Sequence, residues 1–260
     1  MFWALAEGHV DTRGLECEQV LADIQTLNQW ARAGRLEVTA LSLAAYPFVQ
    51  EDYALLPHGA SIGSGYGPIV VAREPMTVDQ LRDVEIVVPG ALTTSFVVLR
   101  LALGDFRYRE VPFEEIPDEI ASGRAVAGLL IHEGQLTFES YGLVKILDLG
   151  EWWLLETGLP LPLGVNAARR DLGEEVLHDV CEVLAEAIQC ALDNRAEALE
   201  YALQFGRGID AAVADRFVSM YVNELTKDYG REGRQAVCEL LRRGESIGAF
   251  PSSVQLDFVS

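Results

Sequence analysis

Residues 84–103 read V-E-I-V-V-P-G-A-L-T-T-S-F-V-V-L-R-L-A-L, and this stretch decides the fold class. Val84 to Val88 has the short apolar, β-branched pattern of a buried strand. Pro89-Gly90 ends it sharply, because proline cannot continue a sheet ladder and glycine opens turn conformations. From Thr93 to Leu103, with Phe96, Val97, Leu99, Arg100 and Leu103 along it, the chain reads as helix. A strand that empties through a tight turn into a helix is the repeating unit of α/β folds.

The same alternation extends in both directions. Upstream, Leu15 to Leu21 reads as a strand, and Asp23 to Ala33 reads as a helix closed by Gly34. Further strands are expected at Leu36–Leu41, Tyr53–Leu56 and Pro68–Ala72, with a short apolar helix at Leu43–Val49. Thr77 and Gln80 have capping-box spacing. Downstream, Arg107–Val111, Ala125–Ile131, Leu143–Leu147 and Leu161–Asn166 are strand candidates, with a helix at Glu151–Glu156. After Asp171, itself spaced from Glu174 as a capping box, the chain turns helical. Apolar residues from Val176 to Ala191 recur every three or four positions along one long helix, and three more helices follow around 196–205, 211–225 and 232–243. The class is α/β, in one large domain or two interlocked lobes.

Among the 260 residues, 40 Asp and Glu face 20 Lys and Arg, a net charge of -20. Phosphate recognition needs clustered cations, so a general nucleic-acid binder is excluded. Only Lys145 and Lys227 could serve as a lysine nucleophile. Cys17, Cys181, Cys190 and Cys238 have neither C-x-x-C spacing nor that of a disulfide framework, which points to a reduced, cytoplasmic protein. No apolar run approaches the ~18–20 residues of a membrane span, and no basic segment precedes an apolar leader.

The chain has no Walker lysine motif, zinc spacing or G-x-S-x-G elbow. Gly63-Ser64-Gly65-Tyr66-Gly67 leads into a strand rather than opening a helix, so it reads as a hinge or a backbone-close turn and not as a dinucleotide site. The four histidines are too scattered for a metal site, and His178 sits among acidic neighbours on a helix surface. Three places can carry chemistry. Thr93-Thr94-Ser95 puts three hydroxyls at a helix N-terminus, where free N–H groups hold a carboxylate or phosphate oxygen; ordinary N-capping by one threonine explains the pattern equally well. Ala40-Leu41-Ser42 is another strand that ends in a hydroxyl before a helix, and taken singly it reads as a cap. Both lie at carboxyl ends of strands, where ligands bind in open α/β sheets. His132, followed by Glu133, closes the apolar run Val126–Ile131 at such an end, the position of a general base or of a histidine hydrogen-bonded to backbone. Glu133 either orients that imidazole or faces solvent, and Trp152-Trp153 with Leu159–Gly164 is expected to pack one lobe.

At these residues the chain resembles the 1,4-dihydroxy-6-naphthoate synthase family of the futalosine route to menaquinone. The matching strings are TLNQWARAGRLEVTALSLAAY (Thr26–Tyr46), GYGPIVVAR (Gly65–Arg73), VVPGALTTSF (Val87–Phe96), AGLLIHEGQLTFESYGL (Ala127–Leu143) and DLGEWWLLETGLPLPLG (Asp148–Gly164). They occur in family order and cover most of the chain up to Leu172. The resemblance implies a two-lobed fold similar to type 2 periplasmic binding proteins, with a substrate cleft between the lobes. Residues 1–84 and 181–260 would form the first lobe and 85–180 the second. It implies a cofactor-free and metal-free lyase that converts cyclic dehypoxanthine futalosine to 1,4-dihydroxy-6-naphthoate and dihydroxyacetone. The family's proton-accepting histidine falls on His132. Its substrate contacts fall on Ala40, Leu41 and Ser42 in the first lobe and on Thr94 and Ser95 in the second.

This agrees with the physical reading, since hydroxyls at helix N-termini can hold a small anionic substrate without an arginine clamp, against the unfavourable field of an acidic protein. Family members begin with a strand and a Ser-Pro-Cys-Pro-Asn-Asp-Thr-like turn ahead of the segment that reads Met1–Leu5 here, so the chain is expected to be shortened, with its true start upstream. Other readings on the same fold are a non-catalytic solute-binding protein, the sister enzyme chorismate dehydratase, and an inactive truncated product. An apolar surface on the first lobe could support a homodimer.

Overall fold

In the computed structural model, which describes residues 2–205, 210–251 and 253–259, the central unit forms as its chemistry dictates. Strand Glu85–Val88 buries Ile86, Val87 and Val88 completely. Gly90 then takes a positive φ of 155° with the Gln25 side chain lying against it, where a Cβ would sit 2.2 Å from the Gln25 carboxamide carbon. Thr93 caps the next helix by accepting from the Phe96 N–H at 3.3 Å, and it donates to the Gly90 carbonyl at 2.7 Å.

The first lobe opens with α1 (Trp3–Ala6), α2 (Ile24–Arg32), β1 (Val38–Ser42), a 3-10 turn (Leu43–Phe48), β2 (Tyr53–Leu55) and β3 (Ser61–Gly63). The chain then crosses to β4 (Ile69–Ala72), α3 (Val78–Leu81), β5 (Glu85–Val88), α4 (Thr94–Leu103), β6 (Arg107–Glu110), α5 (Ile116–Ala121), β7 (Ala127–Leu130), α6 (Gly134–Thr137), β8 (Val144–Asp148) and α7 (Leu149–Thr157). It returns through β9 (Leu161–Arg169) and adds α8 (Glu174–Asp193), α9 (Arg195–Leu203), α10 (Ala211–Tyr221), α11 (Glu224–Lys227) and α12 (Gly230–Ser246).

Two sheets result. In the first, β9 is central and pairs antiparallel with β1, β2 and β3. The second has the order β6-β5-β7-β4-β8, with β5 parallel to β6 and β7, and β4 antiparallel to β7 and β8. Alternate residues of its inner strands serve two cores, as a period of two requires. Val70, Ala72, Ile86 and Val88 join the main core with Leu41, Tyr53, Trp153 and Leu161 of the rest of the chain, while Ile69, Val71 and Val87 pack with Ile116 and Ile120 on the other face.

Strand pairing divides the chain differently from the expected boundaries. β4, placed in the first lobe by a division after residue 84, lies inside the second sheet, and β9, placed in the second lobe by a division at 180, is the central strand of the first sheet. The two crossings between sheets are therefore the stretch 64–68 and the α7 segment. They touch backbone to backbone: a Cβ on Gly150 would lie 2.0 Å from the Tyr66 carbonyl carbon. The glycine-rich link is thus a close turn at the junction of the lobes.

Other expectations change. Leu15–Leu21 forms no strand, and Val20 and Leu21 are exposed. Asp171 caps no helix. Its carboxylate pairs with Arg169 (Nε–Oδ1 2.8 Å), and α8 starts after Gly173, whose φ of +83° ends the preceding 3-10 turn. The expected helix 211–225 stops at Tyr221, because Asn223 and Thr226 form a capping box that starts α11. Helix α5, with Pro117 in its first turn, is an element additional to the expected ones. Among the described residues no helix is long and apolar enough to cross a membrane.

Candidate active site

Because β5, β6 and β7 run parallel, their carboxyl ends share one edge of the second sheet, which also holds the start of β4 and the end of β8 (Ile69 opposite both Leu130 and Asp148). That edge gathers the 89–95 turn, Phe113, the His132–Gln135 segment, Tyr66 and Asp148.

His132 leaves β7 as expected, but in a conformation that local sequence does not reveal. Its φ is +52°, a left-handed backbone that costs a non-glycine residue about 1–2 kcal/mol and is held only by its surroundings. The Gln135 N–H donates to the His132 carbonyl at 3.2 Å and closes the turn. The half-buried imidazole meets the Phe113 ring edge-on at 5.0 Å and the Phe217 ring of α10 at 6.3 Å. Glu133 heads α6 without capping it.

The expected first-lobe residues sit at the end of β1. Leu41 is fully buried in the main core and Ala40 is half-buried, so Leu41 offers a site its backbone and not its side chain. Ser42 heads a 3-10 turn rather than an α-helix, and its side chain caps nothing there. Asn28, fully buried on α2, holds it from both sides: Nδ2 donates to Ser42 Oγ at 3.0 Å, and the Ser42 N–H donates to Oδ1 at 2.8 Å. Thr94 reaches the same place from the second lobe. Its hydroxyl accepts from the Ala44 N–H at 3.1 Å and donates to the Leu163 carbonyl at 2.6 Å. Ser95 Oγ donates to Thr93 Oγ1 at 3.0 Å.

Ser42, Ala44 and Thr94 thus belong to one buried, hydrogen-bonded junction between the lobes. The contacts of His132 run instead to Phe113 and to α10. Tyr221 of α10 donates its hydroxyl to Gln135 Oε1 at 2.8 Å, stacks edge-on with Tyr66 at 5.6 Å and lies 5.0 Å from Phe217, while the Tyr66 hydroxyl donates to the Met220 carbonyl. Burial raises the Tyr221 hydroxyl far above its ordinary range. It also raises the Asp148 carboxyl, against the pull of the backbone N–H groups it caps and of Lys145 at 3.3 Å. Asn28, Phe113, Gln135, Phe217 and Tyr221 went unmarked in the sequence; the one available signal was the amide of Asn28 beside the apolar residues Ile24, Leu27 and Ala31 of a helix. Two grooves of about 280 and 200 Å³, one between α7 and α12 and one beside Phe96 and Tyr108, contain none of the expected residues.

The profile of the menaquinone biosynthesis family matches residues 1–246. The 1,4-dihydroxy-6-naphthoate synthase of Thermus thermophilus is 42% identical over 253 residues, covering 97% of this chain and 92% of that protein. The synthase of Streptomyces coelicolor is 36% identical over 258 residues, covering 97% and 90%. A solved protein of Archaeoglobus fulgidus superposes with a TM-score of 0.91 at 44% identity, covering 95% of this chain and 92% of its own. The alkanesulfonate-binding protein of Xanthomonas axonopodis, at 12% identity and a TM-score of 0.67 over 89% of this chain and 82% of its own, shows the same periplasmic-binding-protein architecture. With its two sheets, its junction between lobes and these matches along nearly its whole length, the chain belongs to the menaquinone biosynthesis family.

Proposed function

We propose that the protein is a cytoplasmic lyase of menaquinone biosynthesis that converts cyclic dehypoxanthine futalosine to 1,4-dihydroxy-6-naphthoate and dihydroxyacetone. The observation that carries this is the identity of 42% and 36% to two synthases over at least nine-tenths of every chain concerned. His132 is the general base. It stands half-buried at the carboxyl end of a buried strand, beside two aromatic rings, within reach of a substrate proton. Loss of that proton from the substrate starts the carbon–carbon cleavage that frees dihydroxyacetone.

The substrate carboxylate docks at the junction of Ser42, Thr94 and Ser95. There the Ala44 N–H and the Thr94 hydroxyl, which hold each other and the Leu163 carbonyl while the lobes are together, become donors without a cation when the lobes part. The Ser42 N–H stays with Asn28 and the Ser95 hydroxyl with Thr93. Ala40 and Leu41 line it through their backbone. Because the Thr94 hydroxyl is engaged by the first lobe, the lobes separate for entry and close over the substrate, excluding water at the moment of reaction. The two lobes that move are the sheet of β1, β9, β2 and β3 with the helices packed on it, and the sheet β6-β5-β7-β4-β8 with its own helices. The test is His132→Ala, with folding checked by circular dichroism and naphthoate followed by absorbance. Turnover is expected to fall by roughly 10²–10⁴-fold; near-normal turnover in a folded variant overturns the assignment of the base.

A further inference from the structure

Helix α10 packs on α9 and on β3 of the first lobe, yet two of its side chains end on the second lobe's catalytic segment. Phe217 lies against the His132 ring, and Tyr221 donates to Gln135. We propose that Tyr221 is a positioning residue for His132, acting through Gln135 by a hydrogen bond that exists only while the two lobes are together. This rests on His132 being the general base.

Three observations carry it. First, the left-handed backbone of His132 needs an external restraint, since an isolated histidine rarely stays there. Second, Gln135 supplies the restraint from both ends: its N–H holds the His132 carbonyl at 3.2 Å, and its buried carboxamide is held in turn by Tyr221 at 2.8 Å. A buried amide that lost this donor would turn to find another partner and loosen the turn it closes. Third, Tyr221 is itself fixed. Its ring sits between Tyr66 and Phe217, and the Tyr66 hydroxyl ties the preceding Met220 carbonyl to the crossing segment between the lobes. Burial keeps the Tyr221 hydroxyl protonated, so it is a donor throughout the working range. Since α10 and α6 stand on opposite lobes, opening breaks the Tyr221–Gln135 bond and closing restores it. The base would be set when substrate has been enclosed and slack when the cleft is open, which ties proton abstraction to closure.

The experiment is steady-state kinetics of the full chain on cyclic dehypoxanthine futalosine with Tyr221→Phe, Gln135→Met, the double variant and His132→Ala. Tyr221→Phe keeps the ring and removes only the donor. Each single variant is expected to lower kcat by roughly 10–100-fold, as misplacement of a catalytic group does, with KM within about twofold of wild type. The double variant should be no slower than the slower single one, because both changes break one chain of contacts. Wild-type kcat in either folded single variant overturns the proposal while leaving the base assignment intact if His132→Ala is inactive. Near-normal turnover of His132→Ala overturns the base assignment and this proposal with it. Gln135→Met carries the test if Tyr221→Phe fails to fold.

Discussion

The hydroxyl of Thr94, at the first turn of α4, donates to the carbonyl of Leu163 on β9 at 2.6 Å. With the Ala44 N–H donating to the Thr94 hydroxyl oxygen at 3.1 Å, one buried side chain of the second lobe fastens two backbone segments of the first. Donor and acceptor capacity are both used.

Removing that oxygen takes the partner from the buried Ala44 N–H and a hydrogen bond from the part-buried Leu163 carbonyl. Thr94→Val, which preserves shape, should therefore destabilise the protein by about 1–3 kcal/mol, whereas Thr94→Ser, which retains the hydroxyl, should lose less. Urea unfolding of the three proteins measures it. Equal midpoints for Val and Ser would show that the hydroxyl contributes nothing at this junction.

The contrast between Thr93 and Asn28 shows what could be read in the sequence. Thr93, Pro89 and Gly90 act on neighbours within a few residues, so the strand, the turn and the capped helix were legible in the order of residues alone. Asn28 acts on Ser42 across a turn of chain, and periodicity reports which face of a helix is apolar but not what that face meets. The lobe membership of β4 and β9 was hidden for the same reason, since their partners lie far along the chain and no local residue records the pairing. Leu15–Leu21 fails in the opposite sense: the pattern is strand-like, but the segment pairs with no strand. At the site, hydroxyls and an imidazole at strand ends were visible as residue types. Their engagement with one another, the left-handed turn at His132 and the arrival of α10 were not.

The crossing of the two interlobe segments should tolerate no side chain. A Cβ on Gly150 would lie 2.0 Å from the Tyr66 carbonyl carbon and 2.5 Å from the Gly67 nitrogen. These are backbone atoms that cannot rotate away, so the segments themselves must part. Gly150→Ala should cost more than about 3 kcal/mol or abolish folding. Gly158→Ala is the control: it has open space around it and a φ of +69°, so it should lose only the roughly 1–2 kcal/mol of a left-handed alanine. Comparable losses in thermal unfolding would mean that the crossing relaxes freely.

On α12, hydrogen bonds from Arg242 and then Arg243 hold the Glu239 carboxyl down to about 2, with Arg243 Nε at 2.7 Å and Arg242 Nη2 at 2.8 Å. An unfolded glutamate titrates near ~4.3. A carboxyl depressed on folding stabilises the folded state above the unfolded value, and that contribution is lost as pH falls from about 4.3 toward 2. The pair lies near solvent, so its worth at neutral pH is at most about 1 kcal/mol. Glu239→Gln removes the titration but keeps the length of the side chain. The stability difference between wild type and variant should then be flat from neutral pH to about 5, and should shrink below about 4. It should also narrow in 1 M salt, where exposed ion pairs are screened within ~3 Å. Chemical unfolding at a series of pH values, with both proteins measured side by side, cancels the titration of every other carboxylate. A difference that persisted unchanged to about pH 3 would show that Glu239 acts through packing and not through its charge.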